Sequence, residues 1–285
     1  MKFLVVGDAM LDIYLIGEVS RLNPEGAHIP LVNVHKTMTL PGGASNVRAN
    51  LESMGATAVL MCQNSGFIKK NRIVVDDRVI SRFDEEDPLL PIHSDDLKNT
   101  LQTGFDAVLV SDYGKGAITG AVVHVLSHSG LPTFVDTKVR PHLWTPWCAG
   151  LFPNEREYRK NKSDYDDAAL CVVKRAQEGL TILTEGRTQI TIKPSVVGSV
   201  LNVAGAGDTL FAAFVAAYSA MGFKGYSHLL AAAQIATDFA SDAVTQAYTS
   251  TPSFDSVYNK EPEIVKRHAS GDLRKMIAEK IKCER

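Results

Sequence analysis

The sequence is poor in the features that mark several protein classes. Its four cysteines among 285 residues, Cys62, Cys148, Cys171 and Cys283, stand far apart with no C-x-x-C pair. That excludes a zinc knuckle and a dense disulfide framework, and the four read as reduced thiols. The eight histidines show no ligand spacing, so no histidine-based metal site is expected. Charge of one sign is missing too: 30 Lys and Arg against 32 Asp and Glu leave a net charge of -2. Such a balance gathers neither nucleic acid nor an anionic membrane, and neither partner is expected. The most apolar stretch, residues 210–223, is too short to cross a bilayer core of about 30 Å at about 1.5 Å per residue. The opening Lys2-Phe3-Leu4-Val5-Val6 is similar to a secretory leader, but Asp8 and Asp12 interrupt the apolar core a leader needs, so a cytoplasmic location is expected. No internal repeat or low-complexity tract is present. With 45% hydrophobic and 22% charged residues, disorder, collagen and coiled coil are excluded.

Short β-rich apolar runs are present, each stopped by polar or glycine-containing turns. They are Phe3-Leu4-Val5-Val6, Ala58-Val59-Leu60-Met61, Ala107-Val108-Leu109-Val110, Thr133-Phe134-Val135, Gly150-Leu151-Phe152 and Thr181-Ile182-Leu183. Between them lie helix-like stretches at residues 44–54, 117–127 and 168–177. This alternation predicts an α/β fold, a mainly parallel sheet with helices on both faces and ligands gathered at the carboxyl ends of its strands. Residues 13–16, 29–34 and 72–83 break the alternation as strands without intervening helices, and predict a small antiparallel lid, drawn from about 12–36 and 72–84. Two apolar helices are expected over residues 209–221 and 227–240, and an amphipathic helical tail over 259–285. Trp144 and Trp147 read as a surface loop or packing element, Met10, Met54 and Met61 as core filler, and Arg21 and Arg48 as surface ion pairs.

Three segments carry chemistry. Gly205-Ala206-Gly207-Asp208, directly before an apolar helix, lets backbone N–H groups converge where the helix N-terminus adds partial positive charge, which makes an anion cradle. Asp208 at its end is placed to act as a base on a hydroxyl that attacks a phosphoryl group; a glycine turn with Asp208 as a helix cap fits the bare string equally well. Pro41-Gly42-Gly43-Ala44-Ser45-Asn46 opens a helix, with close backbone approach at the glycines and with Asn46 able to donate to and accept from a polyol. Gly7-Asp8-Ala9-Met10-Leu11-Asp12 sets two carboxylates just past the first strand, where turn chemistry is the alternative. Neither a G-x-G-x-x-G fingerprint nor a G-x-x-x-x-G-K-[ST] loop occurs.

Taken in order, the G-D-x-x-x-D start, the P-G-G-x-x-N helix start and the late G-A-G-D resemble the ribokinase-like (PfkB) carbohydrate kinases, from about residue 1 to 252. Within them the likeness is greatest to the heptose 7-phosphate kinases that act in ADP-heptose synthesis. It rests on Tyr14, Gly17, Ser20-Arg21 and Pro24-Glu25 after the first string, on residues 41–50, and on Ser111-Asp112-Tyr113-Gly114-Lys115-Gly116. The resemblance implies a kinase domain over residues 1–258 that transfers the γ-phosphate of Mg²⁺-ATP to a sugar phosphate, foremost the 1-position of D-glycero-D-manno-heptose 7-phosphate. It implies Asp208 as base and Gly205, Ala206 and Gly207 as anion hole. Asp12, Gly42, Gly43 and Asn46 would hold the sugar, and Lys115 would meet a substrate phosphate. Thr184 and Gly186 would form the nucleotide-side T-x-G turn, Asp136-Thr137-Lys138 a D-x-K turn, and Asn154 and Glu157 would organise Mg²⁺ through water. A monovalent cation and a homodimer are also compatible with it.

The chain departs from that pattern. Asn202 and Ala204 replace an acid and a threonine, and Gln189 replaces a glycine of the nucleotide turn. One α/β unit is missing after Asn64-Ser65-Gly66, and no H-x-G-H signature follows. Those departures frame the competing expectations: a catalytically impaired sugar-phosphate-binding or regulatory protein, or a kinase for another sugar or a nucleoside.

Overall fold

The computed structural model describes residues 1–26, 28–184, 189–194, 199–223, 225–258 and 271–282. The strands are β1 Lys2–Gly7, β2 Ala9–Leu22, β3 Pro30–Gly43, β4 Thr57–Met61, β5 Ile68–Val75, β6 Arg78–Glu86, β7 Ala107–Asp112, β8 Thr133–Thr137, β9 Gly150–Leu151, β10 Leu170–Lys174, β11 Leu180–Thr184 and β12 Gln189–Ile192. The helices are α1 Ala44–Ser53, α2 Ser94–Leu101, α3 Gly120–Ser127, α4 Glu155–Lys160, α5 Lys162–Asp166, α6 Ala206–Ala220, α7 Tyr226–Val244, α8 Phe254–Tyr258 and α9 Gly271–Ile281.

The main sheet has eight strands in the order β12-β11-β10-β9-β8-β7-β1-β4. From β4 to β10 its pairings are parallel, and β11 and β12 add two antiparallel strands. A strand buried on both faces cannot alternate apolar with polar, and β1 shows why its sequence is a continuous apolar run. Phe3 and Val5 face a core with α1, α6 and α7, whereas Leu4 and Val6 face the opposite core with α2 and α3. Ile277 and Ile281 of α9 are fully buried in the first of these cores, and the Met1 ammonium donates to the Ile281 carbonyl at 2.8 Å.

Residues 168–177, expected as helix, instead hold strand β10. Its Leu-Cys-Val-Val-Lys run is wholly buried between β9 and β11, where β-branched side chains pack better than on a helix. Of the two readings of Trp144, surface loop or packing element, the second holds: it is 1% exposed and belongs to the second core.

The lid is a four-stranded sheet in the order β3-β2-β5-β6. It is larger than expected and not wholly antiparallel, because β2 pairs parallel with β5. Parallel neighbours need a crossover, and the chain supplies it by leaving the lid through α1 and β4. Residues 62–67 then lead from β4 back into β5 with no helix between them, as the missing α/β unit requires. Asp76 and Asp77 both adopt positive φ, 49° and 58°, the backbone a two-residue hairpin turn needs. Along β2 the buried positions alternate, so that Met10, Asp12 and Tyr14 share the inward face.

Candidate active site

Five segments converge beneath the lid. The turn before α6 has Gly205 at φ 82°, and a Cβ there would stand 2.8 Å from both Asn46 Nδ2 and Thr249 Cγ2. Only glycine fits that left-handed, closely packed position. α6 starts at Ala206; in its first turn the Ala206 and Thr209 amides bond the Val203 and Gly205 carbonyls, which leaves those of Gly207 and Asp208 as the open donors at the positive end of its dipole. Asp208 stands in this turn, 6% exposed. One carboxylate oxygen accepts from Asn46 Nδ2 and the other from the Tyr113 hydroxyl, each at 3.0 Å. Burial pushes the Asp208 carboxyl above its ordinary value, against the Asn46 hydrogen bond. A carboxylate has about four lone-pair sites, which leaves acceptor capacity for a third donor, such as a substrate hydroxyl.

Both partners of Asp208 are themselves placed by short segments. Gly43, at φ 55°, ends β3 and caps α1, where a Cβ would run into the Asp8 carbonyl at 2.5 Å. Asn46 therefore sits in the first turn of α1, buried. Asp8 is a support rather than a ligand: its carboxylate accepts from the amides of Tyr113, Lys115 and Ala117 at 2.7, 3.2 and 3.0 Å. Those bonds fix the turn that presents Tyr113. Two ammonium groups lie over the Tyr113 ring, Lys70 at 4.6 Å and Lys138 at 5.3 Å from its centroid. Burial drives the Tyr113 hydroxyl well above its usual range, so it stays a proton donor to Asp208.

Asp12 is paired with buried Arg72 at 2.8 Å and also accepts from the Thr249 hydroxyl at 3.3 Å. The parallel register β2 to β5 aligns Asp12 with Lys70 and Tyr14 with Arg72, putting all four on one face. Tyr14 bonds Thr249 at 2.8 Å and accepts from Asn202 at 3.2 Å. Asn202, in place of an acid, thus fastens the turn to the lid, while its own oxygen accepts from the Ala204 amide at 2.9 Å. Gly42 leaves room beside Asp12, since a Cβ there would lie 3.1 Å from its carboxylate. Arg72→Met strands a buried carboxylate, and urea denaturation is expected to show a loss of about 3–5 kcal/mol. The double variant with Asp12→Asn should recover much of it; equal stability of wild type and Arg72→Met would contradict the pairing.

Two cavities meet at the α6 turn. One, of about 580 Å³, is lined by Lys138, Lys174, Arg156, Arg159 and Arg175, with Glu155, Asn154, Ala176 and Gly207. Five cations against one carboxylate suit a polyanion. The other, of about 390 Å³, shares Lys174, Ala176 and Gly207 and continues among Pro194, Val200, Val203, Leu210, Ala240 and Val244, a lining suited to a flat apolar ring. Behind the first cavity, Asp136 pairs with Lys138 at 2.8 Å and with Lys174, and Lys138 reaches Glu157 at 3.3 Å. Burial opposes the charge on Lys138, but Asp136 and Glu157 outweigh it and hold its ammonium above the ordinary value.

The sequence placed some of these residues and misplaced others. Asp208, Gly205, Gly207, Gly43, Asn46 and Asp12 are brought together. Lys115 is not: its ammonium turns to Glu86 at the lid edge, at 2.6 Å, and Lys70 and Arg72 are the cations beside Asp12. Thr184 ends β11 and lines neither cavity, Gly186 lies outside the described residues, and Gln189 opens β12 opposite Leu183. The turn that does line both cavities follows β10, with Lys174, Ala176, Gln177 and Gly179. Its signal was the Cys171-Val172-Val173 run stopped by Lys174-Arg175, which the helical reading hid. Asn154 and Glu157 form a capping box at the start of α4, and both Glu157 oxygens accept from Asn154. Among the described residues no group of three or more His, Cys, Asp or Glu side chains could hold a metal. The oxygens of Asn154 and Glu157 are hard donors of the kind that suit Mg²⁺, directly or through water, and these two residues would hold it here.

No family model matches the chain. The bifunctional protein HldE of Trichlorobacter lovleyi is 30% identical over 88% of this chain and 61% of its own length, and that of Hahella chejuensis 27% over 81% and 58%. The chain spans little more than half the length of these relatives. Among solved structures, Arabidopsis thaliana ribokinase complexed with ribose and ATP superposes with a TM-score of 0.63 at 16% identity, covering 99% of both chains. Phosphofructokinase-2 of Escherichia coli in complex with potassium gives 0.68 at 13%, over 93% of this chain and 99% of that one.

Proposed function

We propose that this chain, which has the ribokinase fold and is homologous to the HldE proteins, is a sugar kinase that moves the γ-phosphate of ATP onto a hydroxyl of a phosphorylated sugar. The observation that carries the reading is the position of Asp208. It is a buried carboxylate at the N-terminus of α6, beside the polyanion cavity on one side and the lid residues Asp12, Lys70 and Arg72 on the other.

The chemistry follows from that placement. The nucleoside lies in the apolar cavity and its phosphates run through the cationic one to the first turn of α6. The acceptor lies under the lid, its hydroxyls held by Asn46 and Asp12. Asp208 takes the hydroxyl proton, the freed oxygen forms a bond to the γ-phosphorus, and the bond from phosphorus to the β-bridging oxygen breaks, its electron pair leaving with ADP. The first-turn amides meet the charge that grows on the equatorial oxygens, and positioning with charge neutralisation supplies most of the rate. Mg²⁺, held through water near Asn154 and Glu157, would supply further neutralisation between phosphate oxygens.

D-glycero-D-manno-heptose 7-phosphate, accepting at its 1-position, is the favoured acceptor. The motif strings resembling heptose 7-phosphate kinases support it, and so do Lys70 and Arg72, two cations on the acceptor side suited to a sugar that already bears phosphate. Turnover on a panel of sugars, sugar phosphates and nucleosides tests it, and a preference for unphosphorylated acceptors would refute it.

Tyr113→Phe is the informative variant. Asp208 acts only when deprotonated, so activity falls as pH drops through its raised pKa. Removing the Tyr113 donor, which bonds the ionised carboxylate, raises that pKa further and moves the acid limb of the kcat profile upward. An unmoved acid limb would exclude Asp208 as the group titrating there.

A further inference from the structure

Lys174 stands at the join of the two cavities and lines both. It ends β10 with its side chain 9% exposed and its ammonium paired with Asp136. A methyl group built on Gly207 would lie 3.7 Å from its Nζ, so the ammonium rests against the first turn of α6, where the amides gather. Asp136 serves two cations with one carboxylate. Among the described residues Lys138 has a second ion-pair partner in Glu157, whereas Lys174 is in ion-pair contact with Asp136 alone. A lysine buried this deeply is costly unless its charge is used or well paired. Here it shares its counter-ion beside the two open amides of the α6 turn, those of Gly207 and Asp208. The rim cations are differently placed: Arg159 and Arg175 both bond Glu155, and Arg159 is 74% exposed at its side chain.

We infer that Lys174 is the phosphate-binding residue of the nucleotide site. It contacts the donor phosphates at the point where they pass from the apolar cavity to the α6 turn, and adds a phosphate oxygen to its contact with Asp136. This deepens the kinase reading and rests on it. The donor recognised at this point must be a nucleoside polyphosphate, since only its phosphates carry the negative charge that pairs with an ammonium, whereas a nucleoside alone has none. Lys174 thereby measures the phosphate chain and leaves the base to Val200, Val203, Leu210 and Val244.

The test is calorimetric binding of adenosine, ADP and ATP, with and without Mg²⁺, to the full chain and to Lys174→Met and Lys174→Arg. Lys174→Met should keep the adenosine affinity of the wild type and lose about 10–100-fold for ADP and ATP, the worth of a charged hydrogen bond. Lys174→Arg should recover part of that loss. Undiminished ADP binding by Lys174→Met overturns the inference, and so does an equal loss for adenosine and ADP, which would make Lys174 a structural support only. Should the wild type bind none of the three, the nucleotide reading itself fails, an outcome distinct from either.

Discussion

Asp208→Asn is expected to lower kcat by about 10²–10⁴-fold, the usual contribution of a positioned general base. Asn is nearly the same shape, and its polar atoms can be satisfied here. Its oxygen can accept from Asn46 Nδ2 and its amide can donate to the Tyr113 hydroxyl, in place of the two bonds Asp208 accepts. The fold and the cradle should therefore survive while the proton acceptor is lost. Asp208 lines neither cavity, so calorimetry should return a nucleotide affinity close to that of the wild type. Sugar-dependent ADP release that persists at the wild-type rate would remove Asp208 from the chemistry.

The second large effect is expected from Gly205→Ala. The residue is left-handed at φ 82°, and the new Cβ would be 2.8 Å from both Asn46 Nδ2 and Thr249 Cγ2. The backbone conformation alone costs about 1–2 kcal/mol for an L-residue. The contacts are worse, because Asn46 holds Asp208 and Thr249 holds Asp12 and Tyr14. One methyl group thus displaces the anion cradle, the base and the acceptor side together. We expect a loss of about 10²–10³-fold in kcat, the scale seen when an oxyanion donor is removed, with weaker ATP binding and a lower Tm. Gly120→Ala is the control, since a Cβ there meets nothing within 4 Å. It should leave kinetics unchanged and Tm unchanged or slightly raised, since Ala suits the start of α3 better than Gly. If the two variants behave alike, the turn does not have the role assigned to it.

Much of this site was legible in the sequence because its residues are local. Gly205-Ala206-Gly207-Asp208 carries turn, helix start and carboxylate in four consecutive positions, and Gly42-Gly43 with Asn46 does the same for α1. What was not legible depends on register and on strand pairing. Lys70 and Arg72 reach Asp12 because β5 pairs parallel with β2, a relation that no local string encodes. Tyr113 was visible within a motif, but its bond to Asp208 joins positions 95 residues apart. Lys115, two residues on in the same motif, faces Glu86 instead, since a turn redirects successive side chains. The nucleotide turn was sought after β11 because Thr184-Glu185-Gly186 resembles a T-x-G string, while β10 itself read as helix. A short apolar run is ambiguous between helix and strand, and its burial on both faces decides only once the sheet has formed.

The same limits explain the fold. The alternation of apolar runs gave the parallel sheet and helices on both faces, since strands covered on both sides must be apolar throughout. The lid was recognised from strands lacking helices between them, but its parallel pairing and its full extent over β2, β3, β5 and β6 come from long-range partners.

The most direct test is ³¹P NMR of the purified chain incubated with Mg²⁺-ATP and D-glycero-D-manno-heptose 7-phosphate. The account predicts a new anomeric sugar-phosphate resonance growing in step with ADP, with the 7-phosphate signal retained. ATP that stays intact beside this and every other sugar or sugar phosphate tried, although the chain binds nucleotide, would contradict phosphoryl transfer as the work of this site.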